Sequence, residues 1–142
     1  MIIVKEKNRL IVRLKRGQNV IASLEKLATS EKSKSATFTA IGALDRVELA
    51  HYNVEKKKYS SKKFKAELEL ISFIGNIAWH KGKPIVHAHA SLSNPKMEVI
   101  GGHFVEGRVS GTMEISLNIL PIRIEKSFDP ETGLKLMKKN MG

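Results

Sequence analysis

Three of the five histidines fall close together, as His87-Ala88-His89 and, fourteen residues on, Gly101-Gly102-His103. Imidazole nitrogens ligate zinc and related divalent ions, and three protein ligands leave a position open for water or a bound molecule. A strand over residues 85–92 repeats every two residues, which puts His87 and His89 on one face, about 7 Å apart along the backbone. Ser93-Asn94-Pro95-Lys96 is turn-forming and short enough to make the following strand antiparallel. A hairpin folded about that turn carries His103 close to His87 on the same face. Two uses fit this pattern: a three-nitrogen metal site, or imidazoles hydrogen-bonded within a core or an interface. His51 and His80 stand apart and read as surface or turn residues.

Other routes to catalysis have few members. The chain has no cysteine, which excludes disulfides, thiolate metal sites, iron–sulfur clusters and cysteine nucleophiles. Asp45 and Asp129 are the only aspartates, and no Gly-x-Ser-x-Gly elbow accompanies them. Glu67 and Glu69 fall on one face of an expected strand, where glutamates in a lysine-rich chain serve as ion-pair partners more readily than as an acid/base couple. Gly101-Gly102 precedes a strand-like run and not a helix, so it reads as a bulge or a close backbone approach and not as a phosphate loop. Trp79 reads as a core residue.

The second chemical feature is charge. Lys+Arg number 25 against 14 Asp+Glu, a net +11 over 142 residues. Residues 1–65 hold sixteen basic and six acidic side chains, net +10, whereas residues 66–142 are nearly balanced at +1. Lysines enriched for ion-pair networks come with matching glutamates, so the excess reads instead as the footprint of a polyanion-binding surface. It is densest at Lys56, Lys57, Lys58, Lys62, Lys63 and Lys65, six lysines in ten residues with Tyr59 and Phe64 among them. Lysine-dominated contacts favour phosphates over base edges, giving weak sequence specificity and steep salt dependence. Lysines also guard exposed strand edges against aggregation, so a solvated edge and a phosphate-contacting surface both remain open.

These residues need a frame to hold them. Apolar residues at 42% and charged residues at 27% describe a folded chain, long enough for one domain over residues 1–142. No apolar run approaches the roughly 20 residues that span a bilayer, and the start is too short and interrupted for a signal peptide, so the expected location is the cytoplasm, with no membrane partner. Ile2–Lys5 and Arg9–Leu14 predict two short strands around a turn at Lys7-Asn8. Val20, Ile21, Leu24, Leu27 and Ala28 mark one face of a helix that Asn19 is placed to cap. Strands are then predicted at 36–41, 46–52, 66–74, 77–80, 85–92, 99–105 and 112–120, with Gly42 and Gly75-Asn76 as breaks. The tail at 130–137 has room for a short helix or turn only. The sum is α+β: a largely antiparallel sheet with one main helix.

Several of these segments resemble successive blocks of the plants-and-prokaryotes conserved (PPC) domain. They are Gly42-Ala43-Leu44-Asp45-Arg46-Val47-Glu48-Leu49, the run from Glu69 to Ile77, Pro84-Ile85-Val86-His87-Ala88-His89-Ala90-Ser91-Leu92, the run from Val99 to Gly107, and Phe128-Asp129-Pro130-Glu131-Thr132-Gly133-Leu134. The blocks stand in the family's order and cover nearly the whole chain. The resemblance implies an antiparallel α+β domain, a homotrimer, and relatives known as DNA-binding proteins in prokaryotes and as partners of AT-hooks in plants. It also implies a metal on His87, His89 and His103, and a fold similar to the zinc enzyme acetolactate decarboxylase.

One departure limits what carries over. Plant members read AT-rich minor grooves with an arginine-glycine-arginine hook, and Lys15-Arg16-Gly17-Gln18 lacks the second arginine. DNA binding here would have to rest on the folded basic surface. The expectation is therefore a non-enzymatic, trimeric DNA-binding protein that contacts phosphates through the six lysines. The alternative is a zinc-dependent enzyme or metal-binding protein acting on a small anion, with Arg46 and Glu67, both in or beside the resembling blocks, orienting the substrate.

Overall fold

The structure is a computed structural model that describes residues 1–138. Nine strands and one helix follow in the order β1 (Ile2–Glu6), β2 (Arg9–Lys15), α1 (Val20–Ser30), β3 (Ser35–Asn53), β4 (Lys58–Phe64), β5 (Leu68–His80), β6 (Lys83–Ser93), β7 (Val99–Leu120), β8 (Lys126–Phe128) and β9 (Lys135–Met137). All pairings within the sheets are antiparallel, so the expected class holds: a largely antiparallel sheet with one helix. Among the described residues no helix is long and apolar enough to cross a membrane.

The main sheet has seven strands in the order β1-β2-β7-β6-β5-β3-β4, and β7 pairs with β3 as well. That extra pairing closes β3, β5, β6 and β7 into a ring. Two strands are long enough to allow it. β3 meets β5 along its first half and β4 along its second, while β7 meets β6 first and β2 last. Register shifts at Ala40/Gly42, Gly42/Leu44, Leu44/Arg46 and Glu48/Leu49 bend both strands, as bulges do by raising local twist.

These bulges correct the segmentation expected from the sequence. The breaks expected at Gly42 and between Val105 and Thr112 are bends inside β3 and β7, not strand ends. Gly75-Asn76 likewise lies inside β5. A Cβ on Gly75 would collide with the His87 carbonyl and meet the Phe38 ring at 2.6 Å, so glycine there lets β5 and β6 lie close together. β5 begins at Leu68, which leaves Glu67 outside the strand and ends its expected pairing with Glu69 on one face. The tail forms a second, two-stranded sheet of β8 and β9 instead of a helix or turn.

The core follows from alternation. β2 buries Leu10, Val12 and Leu14 and exposes the residues between. β6 buries Ala88, Ala90 and Leu92 and turns His87 and His89 outward. α1 contributes Val20, Leu24, Leu27 and Ala28, beside Phe38, Phe73 and Phe104 from the sheet. Asn19 occupies the N-cap position but makes no side-chain cap bond. Glu106 of β7 caps the helix instead, accepting from the backbone N–H groups of Ile21 at 2.9 Å and Ala22 at 3.4 Å. A carboxylate there satisfies free donors and suits the positive end of the helix.

Candidate metal centre and basic edge

In the β6–β7 ladder His89 lies directly opposite His103, and His87 is two residues along the same face. The three rings form a triangle with centroids 5.3, 5.4 and 5.6 Å apart. One nitrogen from each can be chosen so that all three lie within 4.8 Å of one another. Among the described residues no carboxylate joins this cluster, so imidazole nitrogens are its donors. His87 is exposed on the outer face, yet the protein packed around its ring desolvates it in part, and this, together with the nearby Lys126 and the other two histidines, pushes its pKa down to about 4. Burial, His89 and Lys126 also lower that of His103. Both shifts favour the unprotonated ring, which is the state that ligates a metal. Donor type, number and convergence all fit a divalent ion.

The backbone explains the convergence. Gly101 of β7 opposes Ser91, and a Cβ on it would stand 2.8 Å from the Ala90 carbonyl, so the two strands approach closely next to His103. This is the close approach expected of the glycine pair. The Tyr59 ring of β4 packs 5.2 Å from the His103 ring and 4.6 Å from Tyr52. Tyr52 in turn donates its hydroxyl to the Thr132 carbonyl at 2.6 Å.

Three residues at this site carry no signal in the sequence. Asn76 opposes His87 in the β5–β6 ladder, and its Oδ1 is buried without a hydrogen-bond partner among the described residues. By sequence pattern it belongs to a break. Lys126 is 7% exposed and is desolvated enough to lower its pKa. In the sequence it falls between Pro121 and Asp129, in a stretch with no predicted element. Tyr59 stands among lysines in the sequence and forms a wall of the histidine cluster in the fold. His80 belongs to this neighbourhood too, and not to a detached surface turn: its Nδ1–H donates to the Lys126 carbonyl at 2.7 Å.

The lysine run follows the opposite pattern. Lys58, Tyr59, Ser60, Ser61, Lys62, Lys63 and Phe64 form β4, an edge strand paired only with β3. Period-two alternation places Lys58 and Lys62 on the face of Phe64, with the Lys62 ammonium 5.2 Å from that ring, and Lys63 on the face of Tyr59. Lys56 and Lys57 lie in the turn, and Lys65 follows the strand. Lys63 reaches Glu48 at 3.8 Å, and Lys57 donates to the Pro130 carbonyl at 2.7 Å. Lys56, Lys58, Lys62 and Lys65 make no ion pair among the described residues.

Arg46 and Glu67 do not join the histidines. Arg46 lines a cleft of about 460 Å³ with Lys63, Phe64, Lys65, Glu106 and Arg108. Arg108 in that cleft is held by Asp45 through a two-pronged ion pair whose Nε–Oδ1 distance is 2.8 Å. The hydrogen bonds from Arg108 lower the Asp45 pKa. Glu67 is exposed in the connection between β4 and β5.

The sequence profile of the Plants and Prokaryotes Conserved domain, abbreviated PCC or PPC, matches residues 1–121. The chain belongs to the PPC family. Among solved structures, this PPC chain is similar to a candidate DNA-binding protein of Ralstonia eutropha, with 30% identity, 96% of this chain and 95% of that one covered, and a TM-score of 0.90. A PPC protein of Pyrococcus horikoshii shares 32% identity over 96% of this chain and 93% of its own, with a TM-score of 0.86. A metal-containing protein of Archaeoglobus fulgidus shares 28% identity over 98% and 99%, with a TM-score of 0.86. Among curated proteins none matches this PPC chain.

Proposed function

We propose that this PPC protein is a non-enzymatic DNA-binding protein that acts as a homotrimer and grips phosphates through the β4 edge. One observation carries this reading: four lysines of that edge, Lys56, Lys58, Lys62 and Lys65, have no acidic partner among the described residues. Lys58 and Lys62 share one face of this edge strand, and Lys56 and Lys65 flank it in the connections at its two ends, so the four can follow a phosphate backbone along the edge. The DNA-binding description of the Ralstonia relative supports it, as does the net +10 of residues 1–65.

The proposed trimer has its own support. Ile11, Ile41, Ile71 and Ile74 are exposed on three strands and line one shallow depression, an apolar surface of the kind that contacts between copies cover. Three copies of the edge would convert weak contacts into avidity. Light scattering on the purified protein reads the oligomeric state. Fluorescence anisotropy with labelled duplex DNA at increasing salt reads the contact: we expect binding at low salt, little dependence on sequence, and a linear fall of log K with log salt. Indifference to DNA at low salt would overturn the reading.

The histidine triangle favours a second function alongside the first. His87, His89 and His103 would hold zinc or a similar divalent ion, and the metal-containing Archaeoglobus relative supports this. Such an ion, when bound, supplies Lewis-acid chemistry, polarising a carbonyl or acidifying a bound water. Around it the chain's own groups shape the site: Tyr59 walls off one side, and Asn76 presents a free acceptor beside His87. Elemental analysis of protein purified without chelator or nickel resin decides between a metal-bearing and a metal-free cluster.

A further inference from the structure

The tail beyond β7 returns to the histidine centre. The Trp79 backbone N–H donates to the Ile124 carbonyl at 2.9 Å, and the Ile124 N–H donates to Ser35 Oγ at 2.9 Å. The His80 ring fixes the next turn of chain through the Lys126 carbonyl. Asn76, Ala78 and His80 alternate onto one face of β5, the face whose register partner on β6 is His87. β8 therefore lies across the same outward face that carries the histidines. Lys126 on it is 7% exposed, and no carboxylate pairs with it among the described residues.

A buried ammonium without a counter-charge is costly. The acids nearest in sequence do not relieve the cost: Glu125 is taken by Arg123 at 2.6 Å, and Asp129 accepts from Thr132 at 2.6 and 2.9 Å. The histidine cluster contributes no negative charge either. A divalent ion on the three imidazoles would add two positive charges next to a third, and among the described residues no acid joins the cluster to offset them. Metal sites that serve a purely structural role are closed by protein ligands; this one has three imidazole donors, a buried cation and, among the described residues, the unpartnered Asn76 acceptor at its rim.

We propose that Lys126 is the anion-binding residue of this centre, and that the site takes a small oxyanion, a carboxylate or a phosphate, held jointly by Lys126 and the histidine-bound metal. The proposal rests on metal binding by His87, His89 and His103. It has a thermodynamic consequence: metal and oxyanion bind cooperatively, each tightening the other by the same factor. Removing the ammonium has two opposite effects. It relieves repulsion on the metal and abolishes the help from the anion.

The test uses the full chain loaded with cobalt(II), whose visible absorption reports its coordination. Acetate stands for carboxylates and dimethyl phosphate for phosphodiesters. Cobalt affinity is measured with and without each anion, for the wild type and for Lys126→Met and Lys126→Arg. We expect one of the anions, at saturation, to shift the wild-type spectrum and tighten cobalt binding about tenfold or more. Lys126→Met should bind cobalt at least as tightly as the wild type and lose the anion effect, while Lys126→Arg retains it. A response to dimethyl phosphate alone assigns the site to a small phosphoester, and a response to acetate alone to a small carboxylate. If cobalt does not bind at all, the metal reading fails. If cobalt binds but neither anion shifts the spectrum, or Lys126→Met responds like the wild type, the Lys126 proposal is overturned on its own. Should Lys126→Met fail to fold, Lys126→Gln takes its place: loss of the anion effect there supports the proposal, and its retention overturns it.

Discussion

The histidine centre and the lysine edge are built from the same backbone rule with opposite results. Two-residue alternation gathers His87 and His89 on one face, and the β6–β7 register sets His103 opposite them. The same alternation divides Lys62 from Lys63, and the six lysines are spread over both faces of β4, the turn before it and the residue after it. Spacing of i and i+2 concentrates function on a strand, whereas consecutive like residues dilute it. The first region is therefore suited to a single small ligand at one point. The second is suited to an extended polyanion whose charges also recur on two sides.

Breaking the concentrated site should have the largest effect. His103→Ala removes one of three ligands and should cost metal affinity at least about 100-fold, more than changes in supporting residues do. Zinc titration against a competing chelator measures it, and an unchanged affinity would remove the distinction between the two regions. On the dispersed edge, single lysine changes should be small and additive. Each of Lys56, Lys58, Lys62 and Lys65 replaced by Gln should lower the slope of log K against log salt by about 0.9 if it contacts one phosphate. Gly75→Ala tests how the concentrated site is positioned. Its Cβ would meet the His87 carbonyl and the Phe38 ring, so it should destabilise the fold by about 1–3 kcal/mol and weaken metal binding while leaving the salt slope of DNA binding intact. Denaturant unfolding and the two titrations separate these outcomes.

Two smaller changes sharpen the frame around both regions. Glu106→Gln keeps one acceptor oxygen, for the shorter bond from Ile21, but loses the second acceptor and the charge at the start of α1, which should cost about 0.3–1 kcal/mol. Asp45→Asn gives the pH-dependent case. Arg108 holds the Asp45 pKa below its usual value in the folded protein, so its contribution is present above about pH 4 and is lost as pH falls through the lowered folded value. The wild type should therefore be more stable than the variant at neutral pH, and the gap should close as acid protonates Asp45. A gap that persists unchanged at low pH would contradict the assignment.

Much of this architecture can be read in the residues themselves. Alternation in β2 and in β6 and the apolar face of α1 are local signals, and local signals survive folding. The strand breaks do not. Gly42 and Gly75 look like terminators because a glycine at a turn and a glycine at a close strand crossing are the same letter. Proximity in sequence points to Asn19 as the cap of α1, while the group that performs it, Glu106, arrives from a strand over eighty residues away. The histidine triangle can be anticipated because His-x-His and one turn suffice to bring it together. Lys126 cannot: its burial depends on Ile124 and Lys126 meeting Trp79 and His80 across the fold, and a lone lysine between Pro121 and Asp129 carries no sign of that.

The central claim is that DNA contact belongs to the β4 edge and not to the histidine centre. Anisotropy titrations of duplex DNA across a range of salt, run side by side on the wild type, the four-lysine variant Lys56→Gln/Lys58→Gln/Lys62→Gln/Lys65→Gln and His103→Ala, test it most directly. We expect the four-lysine variant to lose most of its affinity and its salt dependence, with His103→Ala close to the wild type. Full DNA binding by the four-lysine variant, or none by the wild type at low salt, would contradict it.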